Sequence, residues 1–232
     1  MNNKNNIIIV AIVAIVAIAG VSIYALNRDN EMMDDDMMGH TSNSQMTVQA
    51  DTNSADYKQY AALMGEEYDK LFLANMIAHH QGAVVMAKLA LTRASHQEIK
   101  DLAKAIFSAQ TSEITTMTAW QKTWGYPASS GEMMMDHSSA GMINTNAGMM
   151  NELNSKTDDA FDKAFLAQMI VHHQSAINMA ATGKTNAQHQ EVRDLTVAIV
   201  TDQTKEIQQM KRWQKDWGYG ISSDSSMPGM SH

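Results

Sequence analysis

Met76-Ile77-Ala78-His79-His80-Gln81-Gly82-Ala83-Val84-Val85-Met86 is echoed later in this chain as Met169-Ile170-Val171-His172-His173-Gln174-Ser175-Ala176-Ile177-Asn178-Met179. The two strings belong to a gapless internal repeat. Asp69 to Tyr126 aligns with Asp162 to Tyr219 at an offset of 93 residues, with 33 of 58 positions identical. A fixed period defines the structural unit, and one small unit cannot easily bury an apolar stripe alone. The two copies are therefore expected to pack face to face. Their retained residues include thioethers and imidazoles, side chains that bind soft metal ions.

Within each copy the apolar residues recur at helical spacing. On a helical wheel Phe72, Leu73, Met76, Ala83 and Ala87 share one stripe. His79 and His80 border it, three and four residues from Met76. The first long helix is expected from about Glu66 to Leu91. Ser95-His96-Gln97-Glu98 reads as a capping box that opens a second helix, which runs to about Trp124. Gly125 and Pro127 supply its stop. In the second copy Thr157, Asp158 and Asp159 place a cap and acidic charge at a helix start. Gly183 ends that helix, and the next runs from about Gln188 to Trp217. Ser54 to Met64 reads as a further helix start interrupted by Gly65. No segment alternates with period two, so no sheet is expected. The fold class is all-α: an antiparallel four-helix bundle built from two repeated helical hairpins.

Six segments follow: an anchor or signal segment at 1–28, a Met/Asp-rich linker at 29–64, and hairpin repeat 1 at 65–126. A Met-rich linker at 127–156, hairpin repeat 2 at 157–219 and a Met/His tail at 220–232 complete the chain. Residues 29 to about 54 are polar and are expected to be disordered, as are the second linker and the tail, which lack apolar periodicity. Ser54 to Met64 instead carries the helix start named above. Ile7 to Leu26 is uncharged over 20 residues. At about 1.5 Å per residue it reaches roughly 30 Å, enough to span a bilayer core. Lys4 precedes it and Arg28 follows, which favours the amino end inside. The alternative is a cleaved signal peptide with Ala17-x-Ala19 at the cleavage site. Either way the remainder is exported. The expected location is the cell envelope, membrane-anchored, with the bundle on the periplasmic or extracellular side.

A net charge of -8 without a basic stripe argues against nucleic acid as a partner. The absence of Cys removes disulfides, zinc fingers and thiolate nucleophiles. The 21 Met are the compositional excess that remains. The helix following the first histidine doublet offers Gln110, Glu113, Met117, Trp120 and Trp124 at three- and four-residue steps. Glu113 and Met117 are thereby expected to meet His79 and His80 across the hairpin. Glu206 and Met210 are expected to meet His172 and His173 in the same way. Met86 and Met179 lie two turns beyond the doublets and would need a helper to chelate. Taken alone, such methionines are as well explained by core filling.

His96 and His189 also repeat, at helix starts, where capping and solvent exposure explain them equally well. The Trp residues are read as core packing or bundle-end plugs. Met32-Met33, Met37-Met38, Met133 to Met135, Met149-Met150, Met227 and Met230 cluster in segments read as irregular, beside His40, His137 and His232. Core filling does not explain methionine where no core is expected. Thioethers favour Cu(I), and by extension Ag(I), over hard cations. Asp34 to Asp36 would add weak affinity for Cu(II).

The pattern Phe-Leu-x-x-Met-Ile-x-His-His-Gln-x-Ala-x-x-Met, followed by a helix ending Trp-Gly-Tyr, resembles the ferritin-like bundles classed as domain of unknown function family 305. Some members are exported copper-binding proteins of the CopM type. The resemblance implies a four-helix bundle and Met/His coordination of Cu(I) by Met76, His79, His80 and Met86, and by Met169, His172, His173 and Met179. It covers the repeats and says little about the anchor or tails. A di-iron oxidase is not expected, because such sites need Glu-x-x-His on two helices and the chain has none. No Ser-His-Asp arrangement or Gly-rich phosphate loop can be placed, so no enzyme is expected. The expected function is a membrane-tethered, exported protein that sequesters or relays Cu(I). An envelope copper exporter or chaperone would be its exchange partner. The alternative is a non-metal structural or interaction bundle of the envelope.

Overall fold

In the computed structural model of the chain the residues described are 48–127 and 148–220. The chain divides into two compact units, Met1–Ser42 and Asn43–His232, and every described residue lies in the second. Six helices follow in order: α1 Ala55–Ala61, α2 Glu66–Arg93, α3 Gln97–Trp124, α4 Asp158–Ala180, α5 Gly183–Asn186 and α6 Gln190–Asp216. Residues 148–154 are helical as well. Among the described residues no strand forms; a lone bridge joins Gly65 to Ala187.

The local chemistry accounts for most boundaries. Ser54 caps α1 by accepting from the Tyr57 amide at 3.1 Å. Glu66, Glu67 and Asp69 place negative charge in the first turn of α2, and Arg93 closes its last. Gly125 terminates α3 in the left-handed region at φ 70°, where a side chain would be strained. The second repeat departs from the expected helix ending at Gly183. There α4 stops at Ala180, and Gly183 instead opens the short α5. A Cβ on Gly183 would stand 2.3 Å from Thr196 Cγ2. The equivalent pair in the first repeat is Ala90 and Ala103, both fully buried. One large and one small residue thus fill the space that two alanines fill in the other copy.

The capping box expected at Ser95 to Glu98 does not form. His96 is the N-cap of α3 but makes no side-chain cap bond. The cap comes from the other repeat: Asp162 accepts from the Ser95 amide at 3.0 Å and the His96 amide at 2.9 Å. Asp69 mirrors this, accepting from the amides of Gln188 and His189 at 3.0 Å each. Each hairpin therefore caps a helix of its partner.

The duplication also reaches further back than sequence identity does. Residues 55–61 and 148–154 lie 93 apart, share no identical position, and are both helical. Tyr60 and Leu153, at equivalent positions, are each fully buried. Part of each stretch expected as linker is therefore ordered. Met149 and Met150 pack against the core, so these two methionines do have a core to fill.

α2 packs along α3 and against α4, and α4 packs along α6. The α3 core residues Ile99, Ala103, Ile106, Gln110, Met117 and Gln121 form one stripe. α2 and α4 are buried over more of their circumference, which makes them the inner pair. The apolar interior falls into two groups that each draw on both repeats. One joins Met86, Ala87 and Ile106 to Phe165, Met169 and Met210. The other joins Phe72, Met76 and Met117 to Ala176, Met179 and Ile199.

Gly183→Ala should destabilise the fold by about 1–3 kcal/mol through overpacking on Thr196, read as a lower urea midpoint at unchanged m-value. Asp69→Ala and Asp162→Ala should each cost about 2–3 kcal/mol, because several charge-assisted bonds are lost at once. A loss below about 0.5 kcal/mol would show that the trans caps do not hold the repeats together.

Candidate metal centre

The two histidine doublets face each other between α2 and α4. The rings of His79 and His172 lie 3.7 Å apart between centroids, tilted by 39°. All four histidines are buried, His80 and His173 completely. His80 Nε2 lies 2.7 Å from Glu113 Oε2, and His173 Nε2 lies 2.6 Å from Glu206 Oε2. His172 Nε2 donates to the His79 carbonyl at 3.1 Å.

The Nδ1 atoms of all four rings are buried and have no hydrogen-bond partner. An unmet buried polar atom costs about 1–3 kcal/mol, and such atoms in a native interior call for a reason. Four of them, related by the repeat, form the chemical signature of this layer. Burial holds the pKa values of His79 and His172 well below the ordinary 6.5, and the charges of the neighbouring histidines push the same way. Both rings are therefore neutral at physiological pH, the form in which imidazole binds a metal.

Every methionine singled out in the repeats is buried: Met76, Met86, Met117, Met169, Met179 and Met210. Their grouping differs from the expected one set per hairpin. Met86 shares a packed group with Met169 and Met210 of the other repeat, while Met179 shares one with Met76 and Met117. The six thioethers thus fall into two mixed triplets, one in each apolar group. Glu113 and Glu206 do meet the doublets, as the spacing predicted, but through the Nε2 side of His80 and His173. Gln110, placed on the facing stripe by its spacing but given no role there, and its counterpart Gln203 also have buried Oε1 atoms without a partner. Their signal was a polar residue kept in both copies on an otherwise apolar stripe.

Among the described residues, three His, Asp or Glu side chains bring their ligand atoms within 4.8 Å of one another at His96, Asp159 and Asp162, not at the doublets. Asp162 is already engaged: besides the two amides it accepts from His96 Nδ1 at 2.7 Å. His189 Nδ1 meets Asp69 at the same distance. His96 stacks on Trp217 at 3.9 Å, and His189 on Trp124 at 3.7 Å. Tyr126 and Tyr219 border these latches, with pKa values raised to about 12 by burial and by nearby carboxylates. His96 and His189 thus stand at N-cap positions without a side-chain cap bond, and each is a hydrogen-bonded, stacked strut.

The stretch expected as a membrane anchor, the methionine clusters at 32–38, 133–135 and 227–230, and His40, His137 and His232 lie outside the described residues. No helix among the described residues is long and apolar enough to cross a membrane.

A duplicated all-helical unit with buried, mirrored histidine doublets defines the class of protein. The chain belongs to the family described as Domain of unknown function (DUF305), whose profile matches residues 22–88 and 69–214. It is similar to CopM, known in a Cu(I)-bound form: 37% identity, TM-score 0.53, covering 66% of this chain and 98% of that one. CopM in its Cu(II)-bound form matches at 36% identity, and silver-bound forms exist as well. A DUF305 fragment from Deinococcus radiodurans is 26% identical, with a TM-score of 0.53, over 64% of this chain and 96% of that one. None of the curated proteins matches the chain.

The depressed pKa values set a pH dependence. An unfolded histidine takes up a proton near 6.5, whereas His79 and His172 in the folded protein do not until much lower pH. Unfolding therefore binds protons, and stability falls as pH drops below that value. Melting temperature should decline below about pH 6.5, less steeply in a His79→Gln/His172→Gln variant. Equal slopes in the two proteins would contradict the assignment.

Proposed function

We propose that this protein is an exported, membrane-tethered binder of Cu(I), and of Ag(I) by the same chemistry, for sequestering or transferring the metal in copper tolerance. The observation that carries the reading is the set of four bare, buried Nδ1 atoms in a protein whose six repeat methionines are also buried. Neutral imidazole and thioether are donors suited to a soft monovalent ion. The metal is cargo, with no reaction assigned to it, and the reading is non-catalytic. The donors are His79, His80, His172 and His173 with Met76, Met86, Met117, Met169, Met179 and Met210. The similarity to CopM, captured with Cu(I), Cu(II) and silver, supports the choice of metal.

In this reading the four long helices form a ferritin-like antiparallel bundle. Ile7 to Leu26 is the tether, and the chain acts in the periplasm or outside the cell. The clustered methionines at 32–38, 133–135 and 227–230 collect ions at lower affinity and exchange them with an envelope exporter or chaperone. A purely structural bundle of the envelope would explain the bonds made by Nε2 but leaves the four Nδ1 atoms without a reason.

Metal-free protein should compete with a chromogenic Cu(I) chelator. His79→Ala, His80→Ala, His172→Ala and His173→Ala combined should weaken the tightest phase at least about tenfold, or about 1.4 kcal/mol, while weaker binding persists. Circular dichroism would establish that the variant is folded. No competition at micromolar metal, or an unchanged tight phase in the folded variant, overturns the reading.

A further inference from the structure

We infer that Glu113 and Glu206 are positioning residues rather than metal ligands, and that they fix the ring hydrogen on Nε2 so that Nδ1 presents its lone pair to the metal. The inference rests on the copper reading above and adds which atom binds and what sets it.

A neutral imidazole carries one hydrogen, and the partner of one nitrogen decides the role of the other. At His172 the partner of Nε2 is a backbone carbonyl, which only accepts; the hydrogen must sit on Nε2. At His80 and His173 the partner is a carboxylate oxygen at 2.7 and 2.6 Å, again an acceptor. At His79, too, Nδ1 is the atom left without a partner. Three rings are therefore held through Nε2 by an acceptor, and in all four Nδ1 is bare. One of the three restraints is a backbone carbonyl that substitution cannot remove; the other two are Glu113 and Glu206.

The placement of the carboxylates fits that role. Glu113 and Glu206 stand at the edge of the layer, with side chains 13% and 26% exposed, while the rings they hold are fully buried. Each has taken the outer nitrogen of its ring, so a ligand role would require breaking a short hydrogen bond. A carboxylate on the far nitrogen orients a ligating histidine and raises its basicity, and losing such a partner typically costs 10–100-fold in metal affinity. The sequence spacing that paired Glu113 with His80 and Glu206 with His173 is accounted for by this support.

The test uses the full chain and its Glu113→Gln/Glu206→Gln and Glu113→Ala/Glu206→Ala variants, with Cu(I) as the probe. The Gln oxygen still accepts from Nε2–H, so this variant should stay within about tenfold of the parent, while the Ala variant falls about 10–100-fold. Imidazole ¹⁵N spectra of the metal-free parent should show His80 and His173 protonated at Nε2, with tautomers mixed in the Ala variant. X-ray absorption of the Cu(I)-loaded parent should show nitrogen and sulfur neighbours, unchanged in the Gln variant. A carboxylate oxygen in that shell, a protonated Nδ1 in the parent, or equal losses in both variants overturns the inference. Fixed tautomers in a parent that binds no Cu(I) would instead refute the copper reading, leaving the carboxylates as orienting groups without a metal.

Discussion

A buried ring nitrogen without a hydrogen-bond partner is costly, and this protein holds four of them. The Nδ1 atoms of His79, His80, His172 and His173 are sealed from water and from every internal donor. That arrangement persists because the rest of the fold over-determines it. The apolar interior forms two groups, each drawn from both repeats. The other nitrogen of His80, His172 and His173 is tied to a carboxylate or to a backbone carbonyl, so these imidazoles cannot turn to relieve the unmet atom.

The repeats are interwoven rather than docked. Asp69 and Asp162 each cap the second long helix of the opposite hairpin. α1 leans on α4, with Asp56 accepting from Ser175 at 2.7 Å. Arg93 reaches the Asn154 carbonyl at 2.6 Å from the other direction. The methionine triplets mix the two copies as well. An ion held by this layer would touch both hairpins at once, so metal binding and association of the repeats are thermodynamically linked. Outer helices α3 and α6 supply the supporting carboxylates, and inner helices α2 and α4 supply the nitrogens.

Much of this was legible in the sequence because it is encoded locally. Helical spacing, the glycine stop at Gly125 and the survival of the His-His pairs through duplication all lie within short windows. The pairing of Glu113 with His80 was legible too, from steps of three and four on adjacent helices. What was hidden is tertiary. Ser95 to Glu98 spells a local capping box, yet Asp162 wins because a buried carboxylate can serve two amides and His96 together. The helices at 55–61 and 148–154 share no identical residue, yet each buries one large side chain at the equivalent position, Tyr60 or Leu153. Met86 and Met179 looked distant from their own doublets because their packing partners belong to the other copy. Met149 and Met150 read as free ligands but pack on the core, as no periodicity in so short a stretch could reveal.

The most direct test of the histidine layer as a soft-metal centre is anomalous diffraction from crystals of the protein loaded with Ag(I). Anomalous peaks beside the Nδ1 atoms of the doublets, within bonding reach of the buried methionine sulfurs, are the expected result. Silver found elsewhere in well-diffracting crystals, with the layer empty at both doublets, would contradict it.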